Sequence, residues 1–217
     1  AVTGIPAAIT GNAAGIKGIS RQADVIPIRV NKVNEDGILY TDKEEVFRAI
    51  ASLQNLPYRL LVVNMSFALW EGSTAEKKRW EDLMFSLKDK ALFVVGAGND
   101  PYQNTEDIYP CAASHLPNVI CVGGVDSKDS FQSSGSSRGK EVNISAPWCG
   151  YTTTASPGGN TYSTVCGTSI SAPHVSGAAT FIAEEVLGEK PGEAITPSIL
   201  KHALLARSRF SPALLGQ

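Results

Sequence analysis

Short aliphatic and β-branched runs alternate along the chain with segments whose apolar residues recur every three or four positions. Residues 25–30 (Val-Ile-Pro-Ile-Arg-Val) predict a first strand. Thr41-Asp42-Lys43-Glu44 has the form of a capping box, and Val46, Phe47, Ile50 and Leu53 follow at helical spacing. Residues 59–67 carry a continuous apolar run, as expected of a strand buried on both faces. Ser73-Thr74-Ala75-Glu76 reads as a second capping box, opening a polar helix to about Lys90. Residues 91–98, 118–125 and 142–146 predict further strands, and Gly- and Ser-rich turns are expected over much of 126–165. A long helix is expected from near Thr168, and Thr196 before Pro197 predicts an N-cap with proline at the first helical position. Strand, helix, strand in repeated order implies parallel pairing through right-handed crossovers, hence an open α/β sheet. In such sheets working residues lie just beyond the C-terminal strand ends, which puts 67–69 and 98–100 on one rim.

Composition narrows the function classes. The 217 residues fit one domain, 1–217, and 43% hydrophobic residues suffice for a sizeable core. A net charge of −2 with no dominant basic patch argues against nucleic acid or an anionic membrane as a main partner. No apolar run approaches the roughly 20 residues that span a bilayer. The four cysteines, Cys111, Cys121, Cys149 and Cys166, lack zinc-ligand spacing. Buried thiols and one or two disulfides both remain open. If a bridge forms, Cys111 with Cys121 is the expected pair, at the ends of the short connection 112–120.

The strongest chemical signal is Gly167-Thr168-Ser169-Ile170-Ser171-Ala172-Pro173-His174-Val175-Ser176-Gly177. A serine at a helix N-terminus lies among unpaired N–H groups and a partial positive charge. It can attack a carbonyl while its own N–H holds the oxyanion that forms. An isolated Gly-Thr-Ser would more often be a helix cap. His174 is not the base for Ser169: five helical residues separate the two by about 140° and about 7.5 Å along the axis. His115 and His202 have no motif around them, and packing or surface roles are expected for both. A second signal is Val94-Val95-Gly96-Ala97-Gly98-Asn99-Asp100, a buried strand ending in small residues and an amide that could donate to an oxyanion. By itself a Gly-Asn pair after a strand is usually only a turn.

The eleven-residue serine string resembles the serine motif of the subtilase family, G-T-S-x-S/A-x-P-H-x-x-G. The resemblance implies Ser169 as nucleophile, a structural role for His174, and Asn99 as the oxyanion-hole asparagine, matching the family's A-A-G-N-x-G. The family's final glycine is replaced here, since Asp100-Pro101 follows. Val63-Asn64-Met65-Ser66-Phe67-Ala68 resembles the N-M-S-x-G strand that pairs with extended substrate. It implies a pocket with Ser66, Phe67 and Ala68 on one wall and Gly96, Ala97 and Gly98 opposite. Ala68 stands where glycine is usual. Tyr109-Pro110, Pro117-Asn118-Val119-Ile120, the turn at 131–135 and Ala146-Pro147 also have counterparts, although Trp148-Cys149 interrupts the usual A-P-G. The implied fold is an open, mostly parallel sheet flanked by helices on both faces. The implied setting is secreted or extracellular, with polypeptide substrates. The loop 9–18 lies where many members bind calcium. Asn12 could supply an oxygen, but without carboxylates a solvated loop is expected and no cofactor.

Subtilases order their triad as Asp, His, Ser. Ala1-Val2-Thr3-Gly4-Ile5 resembles the tail of the family's H-G-T-x-V-x-G, with Val2 and Gly4 in register, so the histidine is expected three residues before Ala1 and the aspartate further upstream. On this reading 1–217 is an incomplete catalytic domain, inactive unless an upstream segment of the same protein completes it, with an exposed sheet edge and apolar surface where that segment belongs. The alternatives are a non-catalytic subtilase-like module that binds peptides or partners, and an unrelated α/β hydrolase, whose nucleophile would be flanked as G-x-S-x-G.

Overall fold

A computed structural model describes residues 2–9, 11, 15–131, 135–154, 162–189 and 194–209. In chain order these form helix α1 (Gly4–Ala7), strands β1 (Asn31–Val33) and β2 (Leu39–Thr41), helix α2 (Lys43–Ser52), strands β3 (Leu61–Met65) and β4 (Leu69–Trp70), helix α3 (Thr74–Phe85), strands β5 (Ala91–Gly96), β6 (Ile108–Tyr109), β7 (Val119–Val125), β8 (Val142–Pro147), β9 (Cys149–Thr154) and β10 (Tyr162–Cys166), and helices α4 (Thr168–Glu189) and α5 (Pro197–Arg207). The central sheet has the order β3-β5-β7-β8, and every neighbour is parallel.

Side-chain alternation along the strands sorts the interior into two cores. Ala91, Phe93 and Val95 of β5 and Val119 and Cys121 of β7 pack with Val46, Phe47 and Ile50 of α2 and Trp80 and Met84 of α3. Leu92, Val94, Ile120 and Val122 point the other way, onto Ala172, Val175 and Ala179 of α4 and Leu200 and Leu204 of α5. The sheet is therefore covered by helices on both faces. The expected helix face Val46, Phe47, Ile50 and Leu53 is buried in the first core. Thr196 caps α5, accepting from the Ile199 N–H.

Several boundaries differ from the sequence reading. Residues 25–30 form no strand, and Val25, Ile26 and Ile28 are exposed. A strand needs a ladder partner, and none of the described residues supplies one there. For the same reason β3 is half-buried rather than buried on both faces: β5 is its one described neighbour. The cap of α2 is Asp42, not Thr41; its carboxylate accepts from the Glu45 N–H at 2.9 Å. Ser73 precedes α3 without a side-chain cap, the Glu76 carboxylate pairs with Lys43 instead of turning back to Ser73, and α3 ends at Phe85 rather than near Lys90. The turn-rich stretch after 147 contains the antiparallel hairpin β9–β10. Cys111 and Cys121 are bridged, and so are Cys149 and Cys166, across β9 and β10. Asn12 and most of the turn at 131–135 lie outside the described residues. Among the described residues no helix is long and apolar enough to cross a membrane.

Candidate active site

The C-terminal ends of β3 and β5 open on the same rim as the start of α4. Ser169, half-buried in the first turn of α4, donates from Oγ to the carbonyl oxygen of Ser66 at 3.2 Å. Ser66 Oγ returns a bond to the Ser169 carbonyl oxygen at 2.9 Å. A parallel strand end and a helix start, 103 residues apart in sequence, are thus stitched by two reciprocal bonds.

The opposite wall is set by Thr168. Its Oγ1 accepts from the Gly98 N–H at 3.2 Å and donates to Asn99 Oδ1 at 2.9 Å, and its N–H also donates to Asn99 Oδ1 at 2.9 Å. A backbone N–H can only donate, so the Asn99 atom facing it must be the carbonyl oxygen. The amide nitrogen then points away from Thr168. Among the described residues Nδ2 has no acceptor, and Asn99 is exposed. Gly167, between the β9–β10 hairpin and α4, has φ +141°, and a Cβ there would stand 3.2 Å from Asn99 Nδ2. The turn therefore requires glycine to keep room beside the amide.

The first-turn amides of α4 are apportioned unevenly. Thr168 N–H goes to Asn99, and those of Ile170 and Ser171 go to the Gly167 carbonyl. Among the described residues the Ser169 N–H has no acceptor. Among the described residues two donors, Ser169 N–H and Asn99 Nδ2, are thus without an acceptor where α4 begins, at a positive helix end.

The departures from the family pattern are absorbed locally. Gly98 has φ +109°, and Asp100 behind it opens a turn, accepting from Tyr102 N–H at 2.9 Å through Oδ1. Ser137 pins that turn from outside, accepting from Asp100 N–H at 3.2 Å and donating to its carbonyl at 2.8 Å. Trp148 lies against Gly124 and Gly135 and accepts the Gly167 N–H at 2.9 Å, tying β9 to the turn before Ser169.

Of the expected pocket residues, Ser66, Gly96 and Gly98 converge on Thr168–Ser169, as does the expected oxyanion residue Asn99. Ala97 is buried in the first core, Phe67 packs half-buried against it, and Ala68 is exposed. Just after β4, Glu71 is buried beside Lys43, whose Nζ lies 3.0 Å away, and burial pushes its carboxyl above the ordinary range. Thr168 and Ser137 are not evident from sequence: Thr168 lies in the serine motif but its spacing reveals no bond to Asn99, and Ser137 has no motif around it. None of the three histidines serves Ser169. His174 Nδ1 bonds to the Ile170 carbonyl at 2.8 Å, while His115 and His202 are exposed and bond to Ala112 and Ser198. The loop 9–18 contains no carboxylate, so its residues do not fit a carboxylate-built calcium site.

The extracellular basic protease of Dichelobacter nodosus is 31% identical over 98% of this chain and 35% of its own length. Subtilisin DY of Bacillus licheniformis is 32% identical over 83% of this chain and 61% of its own. A cold-adapted subtilisin-like serine proteinase of known structure superposes with TM-score 0.69 at 25% identity, over 88% of this chain and 62% of that one. The chain thus spans roughly a third to three fifths of the length of these relatives. The pattern that defines the subtilase family matches residues 1–214, and the chain belongs to that family.

Proposed function

We propose that this chain is the nucleophile-bearing part of a subtilisin-type serine endopeptidase, with polypeptides as substrates and an extracellular site of action. The observation that supports the proposal is that Ser169 N–H and Asn99 Nδ2 have no acceptor among the described residues, with Asn99 held by Thr168, the residue before Ser169. In the proposed reaction Ser169 Oγ attacks the scissile carbonyl and its proton passes to a general base. The two donors bind the oxyanion, the base returns the proton to the leaving amine, and water then releases the acyl group. The ends of β3 and β5, at 66–68 and 96–98, receive the extended substrate by main-chain pairing. The extracellular setting is supported by the Dichelobacter relative, which is an extracellular protease by name.

The base and its orienting carboxylate are assigned to an upstream segment of the same protein. What supports this is that all three histidines of the chain are engaged or exposed elsewhere, and that the relatives are longer. The test is to express the longer product of the parent gene and assay cleavage of peptide amides. Activity lost on Ser169→Ala supports the reading. A longer product that binds peptides without cleaving them supports the non-catalytic module instead.

A further inference from the structure

Asn64 occupies a position where packing alone would select an apolar side chain. On β3, Leu61, Val63 and Met65 pack into the core beneath α2 and α3, and Val62 into the core beneath α4 and α5. Alternation therefore turns Asn64 and Ser66 toward α4. The residue beside Asn64 on β5 is Val94, wholly buried in the α4 core. Asn64 instead enters a chain of bonds. Its Oδ1 accepts from Ser176 Oγ at 3.0 Å, and its Nδ2 donates to Ser66 Oγ at 2.8 Å. Having accepted that bond, the Ser66 hydroxyl directs its own proton to the Ser169 carbonyl at 2.9 Å. Ser176 shares its proton with the Ala172 carbonyl at 3.1 Å, so the network reaches two turns along α4.

We infer that Asn64 is a positioning residue for the nucleophile, acting through the direction of the Ser66 hydroxyl. The inference rests on the peptidase reading proposed above. A hydroxyl can turn to any acceptor in reach; the donor Nδ2 leaves it one productive direction, toward Ser169. The peptide of Ser169 is then held against the end of β3, and the hydroxyl is presented at fixed distance from the two oxyanion donors. Displacement of a reacting group by about 1 Å costs on the order of 10²-fold in rate, so loosening this clasp is felt in turnover. Asn64 touches neither substrate nor the reacting atoms.

The test uses the longer gene product. Asn64→Asp keeps the shape and the bond from Ser176 but cannot donate to Ser66, whose hydroxyl then turns to the carboxylate and releases the Ser169 carbonyl. The expected result is a kcat lowered about 10-fold with KM within about twofold. Asn64→Leu, which removes both bonds, should lose at least as much while filling the apolar space. In a Ser66→Ala background neither substitution should lower kcat further, because the path through Ser66 is already cut. Melting temperatures and circular dichroism monitor folding in each variant. Wild-type kcat in a folded Asn64→Asp protein, or losses that simply multiply with that of Ser66→Ala, overturns the positioning role and leaves the reaction standing. A wild-type product without peptidase activity, or a fully active Ser169→Ala, overturns the reaction and takes the positioning role with it.

Discussion

The carboxamide oxygen of Asn99 accepts from both the N–H and the hydroxyl of Thr168, each at 2.9 Å. One residue of the serine motif thereby fixes which end of the amide faces the site. Replacing Asn99 by Leu should lower kcat of the longer product by about 10²–10³ with little change in KM, the range known for the same donor in subtilisin, a member of this family. Such a donor binds the charged oxygen of the transition state more strongly than the carbonyl of the substrate. Full turnover in a folded Asn99→Leu protein would reduce Asn99 to a turn residue.

Thr168→Val tests the clamp rather than the donor. It removes one of two bonds to Asn99 Oδ1 and the acceptor for the Gly98 N–H, while leaving the backbone bond to Asn99. We expect about a 10-fold loss in kcat, smaller than that of Asn99→Leu, since the amide keeps its orientation but gains freedom. Steady-state kinetics of the two variants side by side decides this. A Thr168→Val enzyme as impaired as Asn99→Leu contradicts the ordering.

The 217-residue chain by itself should be a very poor peptidase. Ser169 donates to a backbone carbonyl, and a serine hydroxyl without a base is a weak nucleophile. Loss of triad members costs about 10⁴ to 10⁶ in turnover, a range measured in subtilisin. Hydrolysis of peptide amides by the isolated chain at ordinary protease rates would sink the assignment of the base to an upstream segment.

The two disulfides differ in access. Cys111 and Cys121 are wholly buried, whereas Cys149 and Cys166 are exposed on the hairpin that leads into Gly167. Thiol–disulfide exchange requires the attacking thiolate to reach a sulfur, so a mild thiol reductant should open Cys149–Cys166 roughly 10-fold faster or more. Timed alkylation with peptide mass spectrometry reads the order. Simultaneous labelling of all four cysteines in folded protein would contradict it.

Lys201 gives a pH signature. Its ammonium is buried in α5 and donates to the carbonyls of Ser114 and Leu116 at 2.7 and 2.9 Å, and burial lowers its pKa to about 8 from 10.5. Between those values the unfolded chain binds the proton and the folded one does not, so this residue's contribution to stability rises with pH from about 8 to 10.5. Urea midpoints of the wild type and Lys201→Met at pH 7.5 and 10 isolate the effect. The wild type should gain relative to the variant at the higher pH. A difference that stays flat means that the ammonium remains charged in its site.

What could be read along the chain was what local physics decides. Thr196-Pro197 caps and opens α5 because a cap acts within three residues. Gly167, Ser169 and Pro173 mark a helix start for the same reason. The alternation of buried strands and amphipathic helices is enough to imply β3, β5, β7 and β8 in parallel, since crossover connections leave few other arrangements. Tertiary structure decided the rest. The run 25–30 has strand composition but no strand, because pairing is a property of neighbours and not of the segment. Asp42 rather than Thr41 caps α2 because the exact residue that turns out of the helix depends on the strand feeding it. The orientation of Asn99 depends on Thr168, 69 residues away, and the fixing of Ser169 on Ser66 and Asn64, more than 100 residues away. Residue types along a chain state which hydrogen bonds a site can make; only the folded sheet, by bringing the ends of β3 and β5 to the start of α4, settles which are made and which donors remain free.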